Sequence, residues 1–485
     1  MDREPTLPIK LDSASNGEYA PVPVSGAVTR AKALAAERIA THARRTGQSR
    51  RAFLAGVCGA ATTLLALNEV FAWRGNQGGF FVLPREAALE PAAAAEAVGG
   101  REFIFDIQTH MVEPDGAWRR GRRGAMGWLA QTPQGRCGEA DVLRCFDAPH
   151  FVKEVFLDSD TDMAVLSFVP ELAENNPLSL REAARVREVV AALGNGRRLL
   201  LHAMVVPNAE PLTRELDRME QAHRTYDIAA WKVYTQWGPN RVGWWLDDPR
   251  VGLPFIEQAR RLGVKTICIH KGLSFDGHER RYAACDDVGR VARMYPDVTF
   301  IIYHSGIEAR RREGVYDPSH ADRGVDSLVK SLVDNGVAPN SNVYAELGST
   351  WRLVMRDPTQ AAHTLGKLFR YVGEKRVLWG TDSIWYGSPQ DQIQAFRAFQ
   401  ISGEFQERYG YPALTPALKA DVFGRSAAPI YGVDPTQARR RAESDPLGRL
   451  RAAYRADPQP SFATYGPRDA AEWRRFRALH AVGPG

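Results

Sequence analysis

From Phe103 to Thr381 the chain alternates between short apolar, β-rich runs and stretches whose apolar residues recur at helical spacing, and this alternation restricts the fold more than any other feature. The runs lie at 103–109, 163–169, 199–206, 228–235, 265–270, 299–304, 342–347 and 376–381, and between them come segments such as "SLREAARVREVVAALGNG" (179–196), "LPFIEQARRLG" (253–263) and "PTQAAHTLGKLFRYVG" (358–373). Strand followed by helix eight times over predicts an α/β fold, a (β/α)8 TIM barrel. A doubly wound open sheet is the competing architecture, but no G-x-G-x-x-G follows the first run. The long interval after strand one, Glu113 to Asp162, is expected to form a cap or an edge of the pocket.

A barrel concentrates chemistry at the C-terminal ends of its strands, where the loops face one another across the mouth. In "FIFDIQTHMVEP", Phe103 to Pro114, period-two alternation puts Asp106, Gln108 and His110 on one face. Strand four carries Lys232, strand five "TICIHKG" ends in His270, strand six "FIIYHSG" in His304, strand seven in Glu346 and strand eight "VLWGTDS" in Asp382. One histidine at a strand end is as well explained by loop capping as by catalysis. Three histidines and an aspartate on four strand ends share no structural reason, and they are the nitrogen and oxygen donors that a divalent ion takes.

The order "DIQTH", "AWKVYTQ", "CIHKG", "YHSG", "WGTDS" resembles the amidohydrolase superfamily, in the branch that includes aminocarboxymuconate semialdehyde decarboxylase, over about residues 101–435. The resemblance implies one divalent ion, zinc first and manganese second, held by His110, His270 and Asp382, with Gln108 where the branch usually has another histidine. A carboxamide oxygen is a weaker donor than imidazole for zinc, so Gln108 is either a poor ligand or a substrate hydrogen-bonder. Asp382 and His304 are the implied catalytic pair, Asp382 moving the proton of an activated water and His304 stabilising the developing oxyanion. Lys232, Glu346, Arg352, Trp351 and Trp385 are candidate substrate-binding groups. Hydrolysis of an amide, ester or lactone is the first reading of function. Decarboxylation of a small carboxylated substrate is the alternative, and a non-catalytic exported barrel is the third.

The ends of the chain carry a separate message. Residues 1–51 hold nine Lys/Arg against five Asp/Glu and residues 436–485 ten against five, so a total charge of +6 leaves the body between them at −3. Basicity confined to the ends gives no patch for phosphate backbones and argues against nucleic acid as a partner. "SRRAFLAGVCGAATTLLALNEVFA", from Ser49, resembles a twin-arginine export signal: Arg50 and Arg51, then Phe53 and Leu54, a modestly apolar stretch, and Val70 to Ala72 as a small-residue exit. The apolar part is too weak for a stable membrane span, which needs roughly 20 strongly apolar residues. The resulting expectation is a leader over 1–72, a linker over 73–100, the barrel over 101–435 and an Arg-rich extension over 436–485. The protein would be periplasmic or exported, bacterial, with the twin-arginine machinery as a partner, a small-molecule substrate, and a homo-oligomer left open. Five cysteines are too few for a disulfide framework; Cys137 and Cys145 either pair in an oxidising compartment or remain free thiols.

Overall fold

The computed structural model describes residues 6–75, 78–120, 137–194, 196–275 and 278–474. Eight parallel strands follow one another in chain order: β1 (Phe105–Thr109), β2 (Met163–Leu166), β3 (Leu199–Met204), β4 (Ala230–Tyr234), β5 (Thr266–His270), β6 (Thr299–Tyr303), β7 (Val343–Glu346) and β8 (Val377–Leu378). The sheet closes on itself. Past the short β8 the chain runs on beside β1, with the Ile107 amide donating to the Trp379 carbonyl (3.1 Å), the Asp382 amide to the Gln108 carbonyl (3.0 Å), and Thr109 bridging Ser383. The (β/α)8 barrel expected from the periodicity is the fold, with each predicted run containing its strand.

Asp106 clasps this seam. Its carboxylate accepts from the Thr381 and Gln108 amides (both 3.1 Å) and from the Thr381 hydroxyl. Burial raises its pKa to about 7 in spite of these hydrogen bonds. The register between β1 and β2 shifts between Asp106 and Thr109, so strict alternation stops where the strand approaches the mouth.

The segments outside the barrel are folded against it. Helices α1 (Gly26–Arg45) and α3 (Val57–Ala72) share buried surface with the barrel's helical layer, where Val28, Ala31, Leu64 and Leu67 belong to one cluster with Trp351, Phe396 and Phe399, while α2 (Arg50–Ala55) packs Phe53 and Leu54 against α1 and α3. Arg50 and Arg51 are exposed at the start of α2. No helix among the described residues is long and apolar enough to cross a membrane.

The stretch expected to be a linker, 73–100, is structured. Gly79–Phe81 pairs antiparallel with Phe399–Ile401, and Pro91–Val98 is a helix with proline in its first turn and Ala94 and Val98 buried. Its run of alanines has high helix propensity, which the reading as a linker did not weigh. In the interval after β1, Cys137 and Cys145 are joined by a disulfide and Phe146, Phe151 and Phe156 are buried, while 121–136 lies outside the described residues. The Arg-rich extension, described to residue 474, turns some of its charge inward: Arg439 and Arg451 meet buried Asp162 at 2.8 and 3.2 Å, and Asp445 meets buried Arg198 at 3.1 Å.

Candidate metal and catalytic site

The ends of β1, β5, β6, β7 and β8 bring Gln108, His110, His270, His304, Glu346 and Asp382 together, all buried. Two of them end their strands in left-handed backbone, His304 at φ 62° and Asp382 at φ 61°. For residues with a Cβ that conformation is costly, and it turns each side chain sharply at the strand end.

Asp382 is fully engaged. Oδ1 accepts from Gln108 Nε2 (3.0 Å) and lies 3.1 Å from His110 Nε2; Oδ2 accepts from Ser349 Oγ (2.6 Å) and from Asn16 Nδ2 (2.7 Å). Burial works to raise its pKa, but the hydrogen bond from His110, the His110 ring beside it and the Ser349 hydroxyl help to outweigh it and hold the carboxyl well below its usual range. Asp382 is therefore a carboxylate at neutral pH. Gln108 supports it as a donor: with its NH2 turned to Asp382 and 3.4 Å from His304 Nε2, its oxygen points elsewhere and has no partner. The reverse amide orientation would set oxygen against carboxylate.

His304 is fixed in one tautomer. Nδ1 lies 2.7 Å from the Gly348 carbonyl and must carry the proton, which leaves a lone pair on Nε2. Burial lowers its pKa to about 4, so the ring is neutral. His270 differs. It is stacked on Tyr234 (centroids 4.7 Å apart) and Phe275 (5.2 Å), and neither ring nitrogen has a hydrogen-bond partner, although the backbones of Leu273 and Gly272 approach it. Burial, then His304 and Lys232, drive its pKa far down.

Across from these rings stands a residue with no local signal in the sequence. Glu18 lies on a strap, residues 7–20, that crosses the mouth with Leu7, Ile9, Leu11 and Tyr19 buried. Its carboxylate is 3.5 Å from His270 Nδ1 and 3.9 Å from His304 Nε2, and burial together with nearby Asp382 raises its pKa well above the usual range. The strap is pinned along its length. Lys10 pairs with Asp391 (3.5 Å), Asp12 with Arg352 (2.6 Å), Ser15 N with the Pro467 carbonyl (2.8 Å), and the Tyr19 and Tyr386 hydroxyls meet at 3.2 Å.

The predicted substrate groups divide accordingly. Arg352 is committed to the strap, holding the Lys10 carbonyl as well as Asp12. Trp351 is core, its indole donating to the Gln392 carbonyl (2.9 Å) between Phe396 and Phe399. Glu346 braces the β6 and β7 ends by accepting from the His304 and Gly348 amides, and burial raises its pKa to about 8. Gly348 and Gly380 have no room for a Cβ beside Gln108 and Glu346. Lys232 sits with its ammonium 3.6 Å from the Tyr303 ring centroid and no hydrogen-bond partner, its pKa lowered to about 8 by burial. Trp385 stacks on His110 at 5.5 Å.

Unpartnered, buried nitrogens on His270, a fixed lone pair on His304 and a facing carboxylate are a donor set that suits a divalent ion. Outside the strap, a cavity of about 550 Å³ is lined by Tyr19, Phe275, His278, Arg280, Arg310 and Trp473. Another, of about 440 Å³, lies beside Leu54, Gly99 and Tyr454 and does not include these histidines.

Residues 161–433 match the family model described as Amidohydrolase; β1, with Gln108 and His110, precedes the matched range. No curated protein matches the chain. Among solved structures, it is similar to one assigned as a 2-pyrone-4,6-dicarboxylic acid hydrolase from Pseudomonas putida (15% identity, 68% of this chain and 97% of that one, TM-score 0.38). It is also similar to 4-oxalomesaconate hydratase from Rhodopseudomonas palustris (17%, 72% and 99%, TM-score 0.42). A third is 5-carboxyvanillate decarboxylase from Sphingomonas paucimobilis (13%, 68% and 99%, TM-score 0.41).

Proposed function

Since the chain belongs to the amidohydrolase family and is an enzyme, we propose that it is a metal-dependent hydrolase that opens an amide, ester or lactone bond with water, using one divalent ion, zinc in preference to manganese. The observation that carries this reading is His270, buried at a barrel strand end with two ring nitrogens that no side chain meets by a hydrogen bond, beside the His304 ring (centroids 4.5 Å apart) and its lone pair. His270 and His304 would hold the ion. A divalent ion supplies Lewis acidity, which polarises a carbonyl and makes water more acidic.

The protein's own part is proton handling and orientation. Asp382, ionised and clamped by Ser349, Asn16 and His110, accepts a proton at a carboxylate oxygen and returns it to the leaving group. Gln108 keeps that carboxylate turned, and Trp385 holds the plane of His110. The rings of buried Tyr234 and half-buried Phe275 stack on His270 and cover its faces.

Decarboxylation of a carboxylated substrate is the second reading, favoured by Arg310 on the aromatic-walled cavity, where Arg280 is already paired with Glu308 at 2.6 Å. The test is a panel of lactones, esters, amides and carboxylated aromatics offered to the zinc- or manganese-loaded full chain, with released acid and released carbon dioxide measured separately. Acid release abolished by chelation supports hydrolysis. Carbon dioxide release without hydrolysis replaces it, and turnover indifferent to chelation overturns both.

Export by the twin-arginine route is an independent proposal, supported by exposed Arg50 and Arg51. Cleavage after Ala72 would remove Asn16 and Glu18 from the site, so an exported enzyme built as described here keeps its N-terminal segment.

A further inference from the structure

We infer that Glu18 is a ligand of the metal ion, supplied by the N-terminal strap in place of the strand-one donor that Gln108 does not provide, so that the ion fastens the strap over the barrel mouth. This rests on the metal-dependent reading above and adds to it a ligand from outside the barrel.

Distances carry the argument. One ligand atom from each of Glu18, His270 and His304 falls within 4.8 Å of the other two. The Glu18 oxygens stand 3.5 Å from His270 Nδ1 and 3.9 Å from His304 Nε2. These separations are long for charge-assisted hydrogen bonds, which run to about 2.9 Å. Donors sharing a tetrahedral ion with bonds of about 2.1 Å lie about 3.4 Å apart, and two histidines with a glutamate are a known zinc set. The nitrogen that His304 offers is the one its tautomer leaves unprotonated, and His270 Nδ1 has no other partner.

The strap is also placed to hold the carboxylate still. Asn16, two residues away, donates to Asp382 at 2.7 Å and to Glu18 at 2.6 Å, and Tyr19, the next residue, meets Tyr386. Gln108 has turned its NH2 toward the site, leaving strand one without an oxygen donor there. With Glu18 as ligand, Asp382 keeps its hydrogen bonds and its role as proton acceptor.

The experiment uses the full chain stripped by chelator and titrated with zinc against a competing indicator, for the wild type and for Glu18→Gln, a near-isosteric change that keeps an oxygen but removes the charge. The expected result is about one zinc per wild-type chain and at least 100-fold weaker binding by the variant, with the two metal-free proteins melting alike. Hydrogen exchange of the strap amides gives a second readout that needs no variant: zinc should slow exchange over residues 10–20 of the wild type. Zinc binding within about threefold of wild type in a folded Glu18→Gln, or strap exchange indifferent to zinc, overturns the inference and leaves the hydrolase reading standing. Failure of the wild type to bind zinc or manganese overturns both.

Discussion

Asp382 and His270 stand at two strand ends of the same barrel mouth and are both buried, yet Asp382 is met on both oxygens by Gln108, His110, Ser349 and Asn16, whereas neither ring nitrogen of His270 has a hydrogen-bonded side chain, its neighbours being the rings of Tyr234 and Phe275, the Gly272 and Leu273 backbone and the Glu18 carboxylate at 3.5 Å. A buried polar atom without a partner costs about 1–3 kcal/mol. On the first side the Asp382 carboxylate is satisfied by protein groups alone, although the Gln108 oxygen and His110 Nδ1 beside it have no partner. On the proposed reading the two halves divide the work, with the metal ion at the unmet nitrogens of His270 and proton transfer at Asp382.

The strongest way to break that comparison is His270→Ala, which should abolish stoichiometric zinc binding and turnover while the barrel's circular dichroism persists; metal content measured after zinc repletion decides it. Next comes Asp382→Asn, expected to lower kcat by about 10²–10⁴-fold with zinc still bound, because an amide keeps the shape but accepts no proton. Loss of zinc instead would move Asp382 into the metal half. Arg352→Ala tests the strap that links the halves. It removes the guanidinium from half-buried Asp12, leaving the carboxylate with Thr464 and the Ala14 amide, and should cost about 1.5–3 kcal/mol in unfolding experiments, with earlier proteolysis near the strap. Gln108→His should raise zinc affinity by no more than about tenfold, since the position faces Asp382 before it faces the ion; a larger gain, seen by competition titration, would make strand one part of the metal half. Smallest in its effect on the enzyme is replacement of exposed Arg50 and Arg51 by lysine, which should leave purified activity unchanged and strand the protein in the cytoplasm, read by fractionation and by sequencing the mature N-terminus.

The barrel and its strand-end residues were legible because both are local: periodicity marks the strands, and topology carries their last residues to one place. Asp106 illustrates the limit within that pattern. It shares a face with Gln108 and His110 in the sequence, but the seam between β1 and the chain past β8 claims its carboxylate for Thr381. Arg352 and Trp351 stand next to each other and read as a substrate pair, whereas one is tied to Asp12 and the other to Gln392. Glu18 and Asn16 were not legible at all. Their strap has one faint mark, Leu7, Ile9 and Leu11 alternating with Pro8, Lys10 and Asp12, too short to stand out from a polar leader. Contacts 252 residues apart, from Glu18 to His270, leave no trace in a sliding window.

The pairing of Ser15 with Pro467, and of Asp12 with Thr464, gives the site an order of assembly. Asp12 is made 452 residues before Thr464, so the strap cannot be clamped until that partner has been translated. Such long-range closure is slow compared with folding of local units. A nascent chain therefore carries His110, His270 and His304 before the partners that pin the strap exist, and closure of the mouth waits for them.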